Sequence, residues 1–208
     1  MLNAFTAGLL LITISELGDK TFFIAVVLSM RHSRGLVFAG VAAALAAMTI
    51  ISVVMGQAIA FLPQIWVSIA TIVLFIGFGC KLLYDANRMP AKAAGVDECQ
   101  EAVELVDKAE KSKKRQRQGL GVLAEAFTLT FLAEWGDRTQ FATIAIAADQ
   151  NPVGVTLGAI LGHSICAAIA VLGGCLIAGR ISERTITALG GALFLLFAAI
   201  AWVELQWV

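Results

Sequence analysis

Charged side chains account for only 14% of the 208 residues, where a soluble domain carries roughly a quarter, and the mean hydropathy is +0.86. A water-soluble globular fold is thereby excluded, and the chain reads as an integral membrane protein. The four cysteines, Cys80, Cys99, Cys166 and Cys175, form neither a CxxC pair nor a Cys/His cluster, so a disulfide framework, a zinc site and a redox centre are all unsupported. No apolar stretch alternates with a period of two, which argues against a membrane barrel. The amino terminus lacks a basic n-region and a persuasive cleavage site, so its first apolar stretch reads as part of the fold and not as a removable signal peptide.

What the chain does have is six apolar segments, each near or above the ~20 residues that cross a bilayer as a helix. They fall at about Leu2–Met30, Gly35–Phe61, Ile65–Tyr84, Leu120–Ala148, Val153–Ala178 and Ile181–Trp207. The expected fold is all-α with six transmembrane helices. Arg31 and Arg34 follow the first helix, a Lys/Arg-rich segment the third, and Arg180 and Arg184 the fifth, whereas the turns on the other side contain no Lys or Arg. By the positive-inside rule both termini are expected to be extracytoplasmic. The one hydrophilic stretch, Asp85 to Gln118, carries acids first (Asp97, Glu98, Glu101, Glu104, Asp107) and bases last (Lys108, Lys111, Lys113, Lys114, Arg115, Arg117). It reads as a partly helical, solvated surface loop whose basic end anchors the next helix at the headgroups.

Against this scarcity of charge, the same ionic hexapeptide occurs twice inside apolar segments: Glu16-Leu17-Gly18-Asp19-Lys20-Thr21 and Glu134-Trp135-Gly136-Asp137-Arg138-Thr139. An isolated charge at the bilayer centre costs at least ~2.5–3.5 kcal/mol, so six of them require one another or a ligand. Glu16 to Glu134 and Asp19 to Asp137 are both 118 residues apart, and small residues at four-residue spacing recur in helices two and five, where close helix packing is the default reading. The chain is therefore read as a duplicated three-helix unit, residues 1–85 and 120–208, separated by a charged cytoplasmic loop, 86–119. Because each unit has three spans, the second is inverted relative to the first, the arrangement of many secondary transporters.

On a helix, Glu16, Asp19 and Lys20 would share one face, as would Glu134, Asp137 and Arg138. Gly18 and Gly136 could loosen the helix between the acids, and the first and fourth segments are long enough for a central break. If the two repeats meet near the midplane, they assemble four carboxylates and two bases, a net charge of −2 when all are ionised. A divalent cation would neutralise that set. Ca²⁺ and Mn²⁺ suit the oxygen ligands, with Ser15, Thr21, Thr139 and Gln140 as neutral donors and Lys20 and Arg138 as supports. An internal salt bridge with no ligand would explain the bases but leaves two acids in surplus. Crowded carboxylates also take up protons when the metal leaves, which is the chemical basis of exchange.

The paired E-φ-G-D-[KR]-[ST] motifs, one in the first helix of each repeat, resemble those of the Gdt-type family of cation/proton exchangers. That family includes the Golgi calcium/manganese transporter of animals and yeast, a chloroplast manganese transporter and bacterial manganese exporters. The resemblance covers nearly the whole chain, and both hexapeptides match without departure. It implies export of Mn²⁺, with Ca²⁺ as the other candidate, against protons, with Glu16, Asp19, Glu134 and Asp137 as ligands of the transported ion. No cofactor and no nucleic-acid partner are expected, the bilayer is the surrounding partner, and a homo-oligomer stays open.

Two further polar residues carry weaker readings. Glu125, near the cytoplasmic end of helix four, could be a vestibule acid for metal or an interfacial anchor. His163 in helix five could relay protons or be a second ligand, with a hydrogen-bonded packing role as its plainer reading. A membrane-embedded metalloenzyme, a small six-helix exporter of another substrate and a channel remain as alternatives. Against the enzyme stands the lack of a paired nucleophile and base, of a lipid-phosphate motif and of a soluble catalytic domain.

Overall fold

The computed structural model describes residues 1–89, 96–112, 119–177 and 183–206, and its secondary structure there is helical throughout. In chain order the helices are α1 (Leu2–Glu16), α2 (Lys20–Arg31), α3 (Arg34–Ile59), α4 (Gln64–Arg88), α5 (Val96–Ser112), α6 (Leu120–Ala133), α7 (Arg138–Asp149), α8 (Pro152–Ile177) and α9 (Glu183–Leu205). Four of them, α3, α4, α8 and α9, are long and apolar enough to cross a bilayer. Lys113, Lys114, Arg115, Arg117, Arg180 and Trp207 lie outside the described residues.

Two expectations are corrected here. Leu2–Met30 and Leu120–Ala148 are not single helices: each is a pair that meets at the ionic hexapeptide. The cause is local, because Gly18 and Gly136 adopt φ of +78° and +81°, left-handed values that end a right-handed helix and that glycine reaches without strain. Glu16, Asp19 and Lys20 consequently do not share one continuous helical face. Glu16 ends α1, Asp19 is the N-cap of α2 and Lys20 opens it.

The second correction concerns the hydrophilic stretch. It does not behave as a solvated linker over its described part, since α4 continues to Arg88 and α5 packs on α2. Ala102 and Val106 of α5 are completely buried and join the apolar cluster that contains Phe22, Ile24 and Leu28. One stripe of α5 is thus apolar and docked, while Glu101 and Glu104 are exposed. With α3, α6 and α8 on its other sides, α5 completes the enclosure of α2, in which every residue from Thr21 to Leu28 is buried.

Packing between the long helices relies on small residues and rings, as expected where lipid supplies no hydrophobic drive for association. A Cβ added at Gly40 of α3 would fall 2.6 Å from the Leu123 carbonyl oxygen of α6, and one at Gly154 of α8 would fall 2.6 Å from that of Met1. Helix α1 lies along α8, and α3 lies along α6, α7 and α8. Helices α4 and α9 run antiparallel, joined by edge-to-face contacts of Phe75 and Phe78 with Phe194 at 5.6 and 5.7 Å. Large apolar side chains, among them Val54, Trp66, Val73, Leu157 and Leu172, cover the outside.

Candidate functional site

Each hexapeptide builds the same junction. A helix ends at its glutamate, the glycine reverses φ, and the aspartate starts the next helix. Asp19 N donates to the Glu16 carbonyl at 3.3 Å and Asp137 N to the Glu134 carbonyl at 3.2 Å, closing the two turns alike. Both junctions therefore offer the carbonyl-rich end of one helix and the N–H-rich end of another, a pairing of backbone dipoles suited to holding ions of either sign.

The glutamates are the most deeply enclosed charges among the described residues. Glu16 and Glu134 are each 2% exposed, and the Oε1 atom of each has no hydrogen-bond partner. Thr21 Oγ1 donates to Glu16 Oε2 at 3.3 Å, and Thr139 Oγ1 donates to Asp137 Oδ1 at 2.7 Å while lying 3.5 Å from Glu134 Oε2. Glu16, Glu134 and Asp137 each present a carboxylate oxygen, all within 4.8 Å of one another. Three anions from two junctions remote in sequence converge on one small volume. Such a set can hold a hard cation, because oxygens at this spacing can reach a common centre.

The two aspartates, equivalent in the motif, are used differently. Asp137 caps α7, accepting from Gln140 N at 2.9 Å, and stays with the glutamates. Asp19 makes no such cap and instead receives Arg138 Nη2, which crosses from the other junction, at 3.2 Å. Lys20, the counterpart of Arg138, pairs with Glu101 of α5 at 3.0 Å. Gln140 stitches its own turn: its Oε1 accepts from Gly136 N at 2.7 Å and its Nε2 approaches Met48 Sδ of α3 at 3.0 Å.

Ser15, Gly18, Asp19 and Arg138 line a cavity of about 180 Å³ that continues to Asp85 of α4 and Thr187 of α9. At the opposite ends of α4 and α9 a pocket of about 40 Å³ is lined by Asp149, Gln150 and Glu204. Ser15, on the wall of the larger cavity, has a buried and unpartnered Oγ. Glu125 and His163 are also buried, yet neither belongs to the carboxylate cluster nor lines the large cavity. Thr13 and Thr130, whose buried hydroxyls lack partners, and Met48 escaped the sequence reading. For the threonines a signal existed, since Thr13 stands three residues before Glu16 and Thr130 four before Glu134, on the glutamate's own helical face.

A bundle of apolar helices enclosing converging carboxylates defines a membrane protein built to handle ions. Residues 4–90 and 122–206 match the family described as divalent cation/proton antiporter GDT1, and the chain belongs to that family. It is 57% identical to a GDT1-like protein of Synechocystis sp. over 97% of this chain and 98% of that one. It is 44% identical to the rice (Oryza sativa subsp. japonica) GDT1-like protein 2, chloroplastic, over 94% and 60%, and 40% identical to the protein PAM71, chloroplastic, of Arabidopsis thaliana over 98% and 57%. No solved structure matches the chain. Divalent cations and protons are accordingly the transported substrates of its family.

Proposed function

We propose that the chain exports Mn²⁺ from the cytoplasm in exchange for protons, by alternating access to Glu16, Glu134 and Asp137, with Asp19 as the fourth acid of the set. The observation that carries this reading is the convergence of three carboxylates from both hexapeptides within 4.8 Å. Like charges at that spacing repel strongly unless a cation or protons neutralise them, so metal and protons compete for the same oxygens. Thr21, Thr139 and Ser15 add neutral oxygens. Ca²⁺ fits the same donors and is the other candidate ion.

The architecture behind this reading is six spans in two inverted repeats, residues 1–85 and 120–208, with 86–119 between them on the cytoplasmic side. In it, α1/α2 and α6/α7 are interrupted spans, equivalent to each other, as are α3 and α8, and α4 and α9. The packing supports the equivalence: α1 lies on α8 as α6 lies on α3, and α3 meets α7 as α8 meets α2. With both termini extracytoplasmic in the plasma membrane, the 180 Å³ cavity faces the cytoplasm and Asp19 and Arg138 stand in it. Glu125 and His163 serve this cycle as secondary groups, the first on the cytoplasmic approach and the second as a proton relay.

The test is purified protein in liposomes carrying a metal-sensitive dye and a pH dye, challenged with Mn²⁺, Ca²⁺, Mg²⁺ and Zn²⁺. Mn²⁺ movement accompanied by opposite proton movement, lost in Glu134→Gln, supports the proposal. Metal flux with no proton in return would sink it.

A further inference from the structure

Helix α5 falls in the stretch between residues 90 and 122 that the family match leaves out, yet it is tied to the candidate site through a motif residue. Two ion pairs bind it to the two ends of α2: Lys20 Nζ to Glu101 Oε1 at 3.0 Å, and Arg31 Nη1 to Asp107 Oδ1 at 2.8 Å. Ala102 and Val106 lie between these anchors in sequence and are wholly buried against the core. The helix is docked by apolar contact and aimed by charge.

The aim matters because the two motif bases are interchangeable by sequence and not by structure. Arg138 crosses to Asp19, and the carboxylate cluster then consists of Glu16, Glu134 and Asp137, without Asp19. Were Lys20 to make the equivalent crossing, it would engage Asp137 and draw the third acid away. The chain instead pairs Lys20 with Glu101, and Asp137 stays beside the glutamates.

We propose that Glu101 is a positioning residue for cation binding: by holding Lys20 on α5 it keeps Asp137 in the carboxylate cluster of the cytoplasm-facing state. The inference rests on the reading of that cluster as the cation site. Lys20 and Glu101 are 32% and 55% exposed in their side chains, so the pair is weak, screened by salt and readily exchanged. A contact of that kind can yield to Asp137 when the cavity closes.

The experiment measures Mn²⁺ binding to the full chain in detergent by the loss of the free-ion electron paramagnetic resonance signal, with KM and maximal rate followed in liposomes. Glu101→Gln is expected to weaken Mn²⁺ binding about three- to fivefold and to raise KM with little change in maximal rate, while Glu101→Asp restores both. In a Lys20→Met background Glu101→Gln is expected to have no further effect, because the base it restrains is gone. Glu101 lies largely in solvent, so its variants fold. An equal loss in both backgrounds, or no loss in the native one, overturns the proposal. Native protein that binds Mn²⁺ but returns no protons overturns the exchange reading alone, and the binding cycle still decides the role of Glu101.

Discussion

At the scale of single residues, the two glutamates combine deep burial with one unpartnered oxygen each, a costly arrangement for a protein that needs only stability. An isosteric amide removes the charge while keeping the shape. Glu134→Gln is therefore expected to melt, without metal, at a temperature no lower than the native chain. Native protein should gain about 2.7 kcal/mol when free Mn²⁺ stands at a hundred times its Kd, and the variant should lose most of that gain. Differential scanning fluorimetry with and without Mn²⁺ reads both effects. A variant that melts lower yet keeps its full metal shift would show the carboxylate to be structural. These residues were legible in the sequence because charge is so rare here that two matched hexapeptides stand out. Thr13 and Thr130 share the glutamates' helical faces, but spacing alone did not single them out, since a lone threonine in an apolar helix looks like any residue bonding its own backbone.

At the scale of elements, the junction glycines decide the shape of the site. Nothing lies within 4 Å of a Cβ placed at Gly136, so a side chain there meets no steric barrier and only the left-handed backbone objects. Gly136→Asn is expected to cost little, since asparagine visits that region, whereas Gly136→Val should cost at least about 1–2 kcal/mol and lower the exchange rate. Thermal melting paired with liposome flux separates the two, and equal behaviour of both variants would remove the backbone argument. The sequence placed the glycine where the helix could loosen, but a full break into two capped helices depends on φ, which composition does not reveal. The docking of helix α5 escaped for a different reason. Its acids and lysines dominate the stretch, and the stripe through Ala102 and Val106 is too narrow to compete with them until α2 supplies a surface to bury it.

At the scale of the whole molecule, the all-helical membrane class could be read from composition and hydropathy, because bilayer thickness sets the length of the apolar runs, and the 118-residue offset with odd-numbered units is the ground for the proposed duplication. Which face is open could not be read, since it depends on the relative tilt of packed helices. If metal and protons share the clustered carboxylates, lowering pH must weaken Mn²⁺ binding. Each displaced proton raises the apparent Kd up to about tenfold per pH unit where the acids titrate, and a slope of about one to two is expected. Isothermal titrations at a series of pH values give that slope directly, and a flat profile would exclude shared oxygens.

The unequal mouths at the ends of α4 and α9 carry a consequence for the cell. If the chain works as the proposed exchanger, the 180 Å³ opening at one end and the 40 Å³ dimple at the other belong to a state open to one side only. A membrane crowded with this protein should keep its electrical resistance, and its proton gradient should discharge only as fast as the helices can rock.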